Sequence, residues 1–345
     1  MRIIAQAPCR VDLAGGTLDI WPLYLFHPGA VTINFAINRF THCTIDALDS
    51  PEIRIRSGDL QAAESYPSLA ALNQAARPRL PLATYLLRFF RPSSGLAIHT
   101  DSESPAGAGI AGSSALMIAT ASALNRFTHS GHGPEGIREI AQNVEAQIIR
   151  VPTGVQDYYP ALYGGVNAVE LRADGIRRVA IPVDLNDFNS RIVLCYTGEP
   201  RNSGINNWEV TKAYINGDRK VHRNFAHIAA VASSMRGAVE KADWKEAGRL
   251  LREDWSHRRA NLPGISTPAI DRLISLGRRA GSLGAKVCGA GGGGCVFFLV
   301  ERGSRERVVR ALAKAGAQIL PVQVAARGVR IQNRRTPRRS GLPIK

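Results

Sequence analysis

Apolar and polar side chains alternate along residues 2–13 in the manner of a strand with one buried face. The run ends at Gly15-Gly16, where small residues let the backbone bend sharply. Comparable patterns predict strands over residues 30–37, 42–47, 53–56 and 96–100. Residues 60–91 read as helix, interrupted near Pro78 and Pro81. The Ala- and Leu-rich segment 113–127 predicts a buried helix whose first turn carries two serines, and a second helix follows over 134–149. Strands are then expected over 165–171, 175–181 and 191–196. Two charged helices follow within 220–259, a helix over 268–280, an apolar strand over 296–300, a helix over 305–315 and a last strand over 319–325.

A chain of 345 residues suggests about two domains. The polar stretch near 185–190 marks the boundary, giving an N-terminal domain over 1–187, a C-terminal domain over 188–330 and a basic tail over 331–345. The tail reads as solvated and flexible, because Arg330, Arg334, Arg335, Arg338, Arg339 and Lys345 have no acid nearby in sequence.

Composition is globular, at 45% hydrophobic and 21% charged residues. The net charge of +16 favours anionic ligands: nucleotides, phosphorylated sugars, nucleic acid or acidic membranes. Aromatics at 6% are too sparse for a base-stacking surface, which disfavours nucleic acid. No segment approaches the ~20 apolar residues of a membrane span, and the start lacks a signal-peptide core. Five cysteines, odd in number and without CxxC spacing, fit a reduced chain, so a cytoplasmic protein without membrane association is expected. Oligomeric state is not indicated.

Candidate chemistry begins at SPAGAGIAGSSALMIA, residues 104–119, a glycine-rich loop running into a helix. Gly107, Gly109 and Gly112 permit unusual dihedrals and close approach of backbone N–H groups to a polyphosphate. The helix start adds unpaired donors and a positive dipole end, and Ser113 and Ser114 offer oxygens to phosphate or magnesium. A loop with a plain serine cap explains the same residues. No lysine follows the glycines, so this is not a Walker loop. Elsewhere, Arg10 in the opening strand reads by itself as structural, Glu145 as a surface residue on a charged helix, and Asp157 as either structural or functional.

The loop resembles the second motif of the GHMP kinases (galactokinase, homoserine kinase, mevalonate kinase and phosphomevalonate kinase), PxxxGLGSSA, through Pro105, Gly109, Gly112, Ser113, Ser114 and Ala115. Ile110 and Ala111 stand where that pattern has a single Leu. APCRVDLAGGTLD, residues 7–19, is similar to the first motif, and KVCGAGGGGCVFFLV, residues 286–300, to the third. The stretch VPTGVQDYYPALYGG resembles the GxQDQ segment of heptose and fucose kinases at Gly154, Gln156 and Asp157, with Tyr158 where those proteins often carry Gln.

The resemblance implies an α+β fold of two domains, the first with a ribosomal-protein-like βαβ arrangement and the second ferredoxin-like, with the active site between them. It also implies ATP and Mg2+. Asp157 and Arg10 would be catalytic, and Ser114 and Glu145 would hold the metal. Pro105, Gly107, Gly109, Gly112, Ser113, Ser114, Gly289, Gly291 and Gly292 would meet the nucleotide, and Asp19, Gly15, Gly16 and Gln156 the acceptor. LAGGTLDIWPLY, YTGEPRNSGINNWE and PVQVAARGVRI are similar to D-glycero-D-manno-heptose 7-phosphate kinases, implying phosphorylation of the anomeric hydroxyl of a sugar or sugar phosphate. Arg201 and Lys212 then become candidates to receive an acceptor phosphate. Fucose, galactose or an isoprenoid precursor as acceptor, or a nucleotide-binding regulator without catalysis, are the alternatives.

Overall fold

The computed structural model describes residues 1–200 and 203–334. Its strands are β1 (Arg2–Ala14), β2 (Val31–Ala47), β3 (Ile53–Ser57), β4 (Ala62–Tyr66), β5 (Leu96–Ser102), β6 (Val166–Arg172), β7 (Gly175–Ala180), β8 (Ile192–Tyr196), β9 (Ser282–Val287), β10 (Cys295–Val300), β11 (Gln318–Leu320) and β12 (Arg330–Arg334). Its helices are α1 (Leu69–Gln74), α2 (Pro81–Phe90), α3 (Gly112–Thr128), α4 (Pro134–Ile149), α5 (Tyr158–Tyr163), α6 (Leu185–Asn189), α7 (Ser203–Ile215), α8 (Arg219–Glu240), α9 (Trp244–Ala260), α10 (Pro268–Arg279) and α11 (Arg305–Lys314).

The first sheet runs β12-β1-β2-β5-β3-β4, with β6 and β7 attached through β2. The two strands expected over 30–37 and 42–47 are one, β2, which serves three partners because its register with β1 shifts where Pro8 meets Phe40 and Cys9 meets Ile37. The extra residues Asn38 and Arg39 form a bulge there, beside a proline that has no N–H to donate. One end of β2 then pairs with β6 and the other with β5. Helix α3 packs on β1 and β2, and α8 also contacts both strands.

The second sheet is antiparallel, ordered β11-β8-β10-β9. Every residue of β10 is buried, and alternate side chains enter two cores. Phe297 and Leu299 join the core of the first sheet, while Val296, Phe298 and Val300 join a second core with α10 and α11. The mixed α+β architecture follows expectation. Among the described residues no helix is long and apolar enough to cross a membrane.

Several elements correct the sequence reading. Helix was expected from residue 60, but Ala62–Tyr66 is a strand: antiparallel pairing with β3 overrides the helix preference of its alanines and glutamate. The last expected strand stops at Leu320, ahead of Pro321, leaving only an isolated bridge between Val324 and Ile37. The tail expected from residue 331 is strand at its start, since Arg330–Arg334 pairs with β1 from Gln6 to Arg2. The remainder of the tail call, residues 335–345, lies outside the described residues.

Candidate active site

The glycine loop and both neighbouring motifs are tied together by backbone hydrogen bonds. Arg10 N donates to Ile110 O at 2.9 Å, and Cys295 N donates to Ala108 O at 2.7 Å. Gly294 has to be small because a side chain there would lie 2.7 Å from Ala108 O. Within the loop Gly107 and Gly109 have φ of 66° and 79°. Of the pair standing where the family pattern has one Leu, Ile110 is buried and Ala111 takes a left-handed φ of 59° to start α3. Helix α3 therefore begins at Gly112, and its first-turn N–H groups, which have no intrahelical acceptors, border the same cavity as Ser113 and Ser114.

Glu145, near the end of α4, meets those serines. Ser113 Oγ donates to Glu145 Oε1 at 2.7 Å and Ser114 Oγ donates to Glu145 Oε2 at 3.0 Å. Tyr158 OH donates to Glu145 Oε2 as well. Burial pushes the Glu145 carboxyl above its ordinary range, while the bonds from Tyr158 and the two serines pull it back. Burial and the adjacent Glu145 raise the Tyr158 phenol well above its usual value, so it stays a donor.

On the facing side, Arg10 grips Asp157 Oδ1 with Nε at 2.8 Å and Nη2 at 2.7 Å, and Nη1 donates to Gly109 O at 2.7 Å. Burial disfavours the Arg10 charge, but Asp157 and Asp12 outweigh it and raise its pKa. Asp19 accepts from Gln156 N at 2.9 Å and from Gln156 Nε2 at 3.3 Å. That donor fixes the amide orientation, since the reverse would set Oε1 against a carboxylate. Gln156 Oε1 is then buried without a hydrogen-bond partner. Burial, reinforced by Asp157, pushes the Asp19 carboxyl up to about 6. Gly154 leaves the room, as any side chain there would strike Asp19.

These groups line one cavity of about 390 Å³. Arg10, Asp19, Pro105, Gly107, Gly109, Gly112, Ser113, Ser114, Glu145, Gln156, Asp157 and Gly289 all border it. A larger, more open depression of about 480 Å³ at the other end of α3, beside Arg126 and His129, contains none of the motif residues. Gly15, Gly16, Gly291 and Gly292 are not on the cavity wall. Gly291 and Gly292 instead pack against Ile265 and Asn206, and Gly292 N donates to Ile265 O at 2.9 Å. Lys212 is paired with Glu209 at 2.8 Å and lies over Trp208, and Arg201 is outside the described residues.

Gly16 makes room for, and the Gly15 N–H bonds to, a group that the sequence reading missed. Asp12, Asp254, Arg258 and Lys286 form a buried ion cluster beside the cavity. Lys286 Nζ lies 2.8 Å from Asp12 Oδ2 and 2.7 Å from Asp254 Oδ2, and Arg258 Nη1 lies 3.1 Å from Asp12 Oδ2. Gly15 N donates to Asp254 Oδ1 at 3.0 Å, and a side chain at Gly16 would collide with Arg258 Nη1. Burial penalises the Asp12 charge, but Lys286, Arg258 and Arg10 more than compensate and hold its carboxyl well below the usual range. The spacing of these residues, 12 to 286, carries no local sequence signal.

The oxygens of Ser113, Ser114 and Glu145, gathered at a helix N-terminus on the cavity wall, are the donor type magnesium takes. A glycine loop leading into that helix start fits the polyphosphate of ATP. Residues 74–165 match the family description GHMP kinases N terminal domain, and residues 235–318 match GHMP kinases C terminal. A D-glycero-alpha-D-manno-heptose 7-phosphate kinase of Campylobacter jejuni is 26% identical over 336 residues, covering 95% of this chain and 98% of that protein. A mevalonate kinase of Thermococcus sibiricus is 25% identical over 360 residues, covering 96% and 99%. Among solved structures, a D-glycero-D-manno-heptose 1-phosphate kinase from Bacteroides thetaiotaomicron superposes with a TM-score of 0.79 at 25% identity, covering 97% of this chain and all of that one. The two matched regions, the relatives spanning nearly its full length and the shared fold together place the chain in the GHMP kinase family, whose members are phosphotransferases that use ATP.

Proposed function

We propose that this kinase transfers the γ-phosphate of ATP, with magnesium, to the anomeric hydroxyl of a sugar or sugar phosphate such as D-glycero-D-manno-heptose 7-phosphate. The observation that carries the reading is the pair Asp19 and Gln156 on the wall beside Asp157. Both side chains border the cavity, where a carboxylate and an amide offer acceptors and donors to the hydroxyls of a sugar. An acceptor presenting a carboxylate there, as mevalonate would, meets Asp19 and an amide oxygen and is repelled. The heptose kinase likeness supports the same acceptor class.

In this reading Asp157 orients the attacking hydroxyl and takes its proton, while Arg10 fixes the carboxylate and offsets charge on the transferring group. Ser113, Ser114 and Glu145 would hold magnesium, which when bound neutralises charge on the terminal phosphates. The first turn of α3 and the loop before it direct N–H groups at the same place. Residues 1–187, as the N-terminal domain, would supply the loop and acceptor site, with the C-terminal domain over 188–330 closing the cavity through Arg258 and Gly289.

The test is an acceptor panel with ATP: heptose 7-phosphate, fucose, galactose and mevalonate. The expected result is kcat/KM for the heptose phosphate at least ~10²-fold above that for mevalonate. Preference for mevalonate would overturn the sugar assignment.

A further inference from the structure

We propose that the buried cluster of Asp12, Lys286, Asp254 and Arg258 is a positioning device for phosphoryl transfer, its charge balance setting where Arg10, and through Arg10 the Asp157 carboxylate, points. The cluster joins strands of both sheets: Asp12 is on β1, Lys286 on β9, and Asp254 and Arg258 on α9. Lys286 and Asp254 are fully buried, and Asp12 and Arg258 nearly so. It also holds the loops on either side of the cavity. Gly289 N donates to Asp12 Oδ1 at 3.4 Å, Arg258 donates to Gly289 O, and Arg258 Nη2 donates to Thr17 Oγ1 at 3.3 Å.

The charges are matched in two neighbouring sets. Asp12 and Asp254 balance Lys286 and Arg258, and Arg10 balances Asp157. The sets meet where Arg10 Nη1 lies 3.9 Å from Asp12 Oδ1. While Lys286 and Arg258 occupy Asp12, Arg10 directs two N–H groups to Asp157 and one to Gly109. Loss of the Lys286 charge leaves Asp12 with Arg258 as its one close cation in a dry site, and the next cation, 3.9 Å away, is Arg10. An unmatched buried charge is costly, whereas removing both members of a buried pair is often tolerated. Charge balance is therefore separable from mere filling of space.

This inference rests on the role given to Asp157 above. The experiment measures kcat, KM for ATP and thermal midpoint for Lys286→Met, Asp254→Asn, the double variant and Asp157→Ala, using the panel acceptor with the highest turnover. Lys286→Met is expected to lower kcat ~10²-fold with KM for ATP within ~2-fold, because Arg258 still holds Gly289 and the Arg10 main chain still holds Ile110 while the acceptor-side geometry is lost. The double variant, balanced again, is expected to regain at least ~10-fold of that loss. A double variant as slow as Lys286→Met, or a Lys286→Met enzyme that loses thermal stability but keeps its kcat, overturns the proposal. If Lys286→Met does not fold, Asp254→Asn against the double variant reads the same balance, and the double must be the faster. Unchanged turnover in Asp157→Ala would instead remove the reading of Asp157, while loss in that variant beside full kcat in Lys286→Met removes only the present inference.

Discussion

Asp12 and Asp19 lie seven positions apart, both almost fully buried, and they have opposite fates. Asp12 is surrounded by Lys286, Arg258 and Arg10, and its carboxyl is held far down. Asp19 has the Gln156 amide groups and a second carboxylate, Asp157, nearby, and is pushed up to about 6. Equal burial thus yields a permanently charged strut in one region and, on the cavity wall, a group poised to change protonation near neutrality. The partners, not the depth, decide which a carboxylate becomes.

Asp157 stands between the two regions, drawing Arg10 away from Asp12 and raising Asp19, so its removal has the largest expected effect. Asp157→Ala should lower kcat about 10³-fold in a coupled ATP assay. Asp12→Asn strips two buried cations of a shared carboxylate and should cost about 3–5 kcal/mol in urea unfolding at neutral pH. A loss under 1 kcal/mol would mean that the strut is no strut.

Asp19→Asn should act in the other direction. A carboxyl whose folded pKa lies above its unfolded value favours the native state below the unfolded value and loses that contribution as pH rises through about 6. The groups facing it are Asp157, Gln156 and, more weakly, Arg10. The asparagine variant should therefore be more stable than the parent by about 2 kcal/mol at pH 8, with the difference shrinking toward pH 4, while KM for the acceptor rises ~10-fold. Equal stability at both pH values would erase the contrast with Asp12. Smallest is Tyr158→Phe, which removes one donor from Glu145 and should raise KM for magnesium-ATP ~5-fold, measured by titrating both.

Much of this arrangement was legible because it is local. The helix expected over 134–149 is α4, and the run VFFLV is the doubly buried strand β10. Arg10, Asp157, Ser113, Ser114 and Glu145 meet at one cavity, an arrangement suggested by the family resemblance rather than by their spacing. What escaped notice depends on distant partners. Lys286 looked like a flank of a glycine run until Asp12 and Asp254 came beside it. Gly15 and Gly16 looked like acceptor contacts, but the Gly15 N–H bonds Asp254 and the missing side chain of Gly16 makes space for Arg258. Ala62–Tyr66 has the composition of a helix and became a strand through β3. Tyr158, which stands where heptose and fucose kinases often carry Gln, donates inward to Glu145.

The segment Arg330–Arg334 has no apolar alternation, and all of its residues are exposed, yet it covers the open side of β1. A ribosome releases β1 more than 300 residues before this covering strand. Throughout synthesis the first strand therefore offers unpaired N–H and C=O groups to any other extended chain, and they are met only when the last described strand arrives. Arg330 and Arg334 make that final edge cationic, which discourages a second molecule from adding to it.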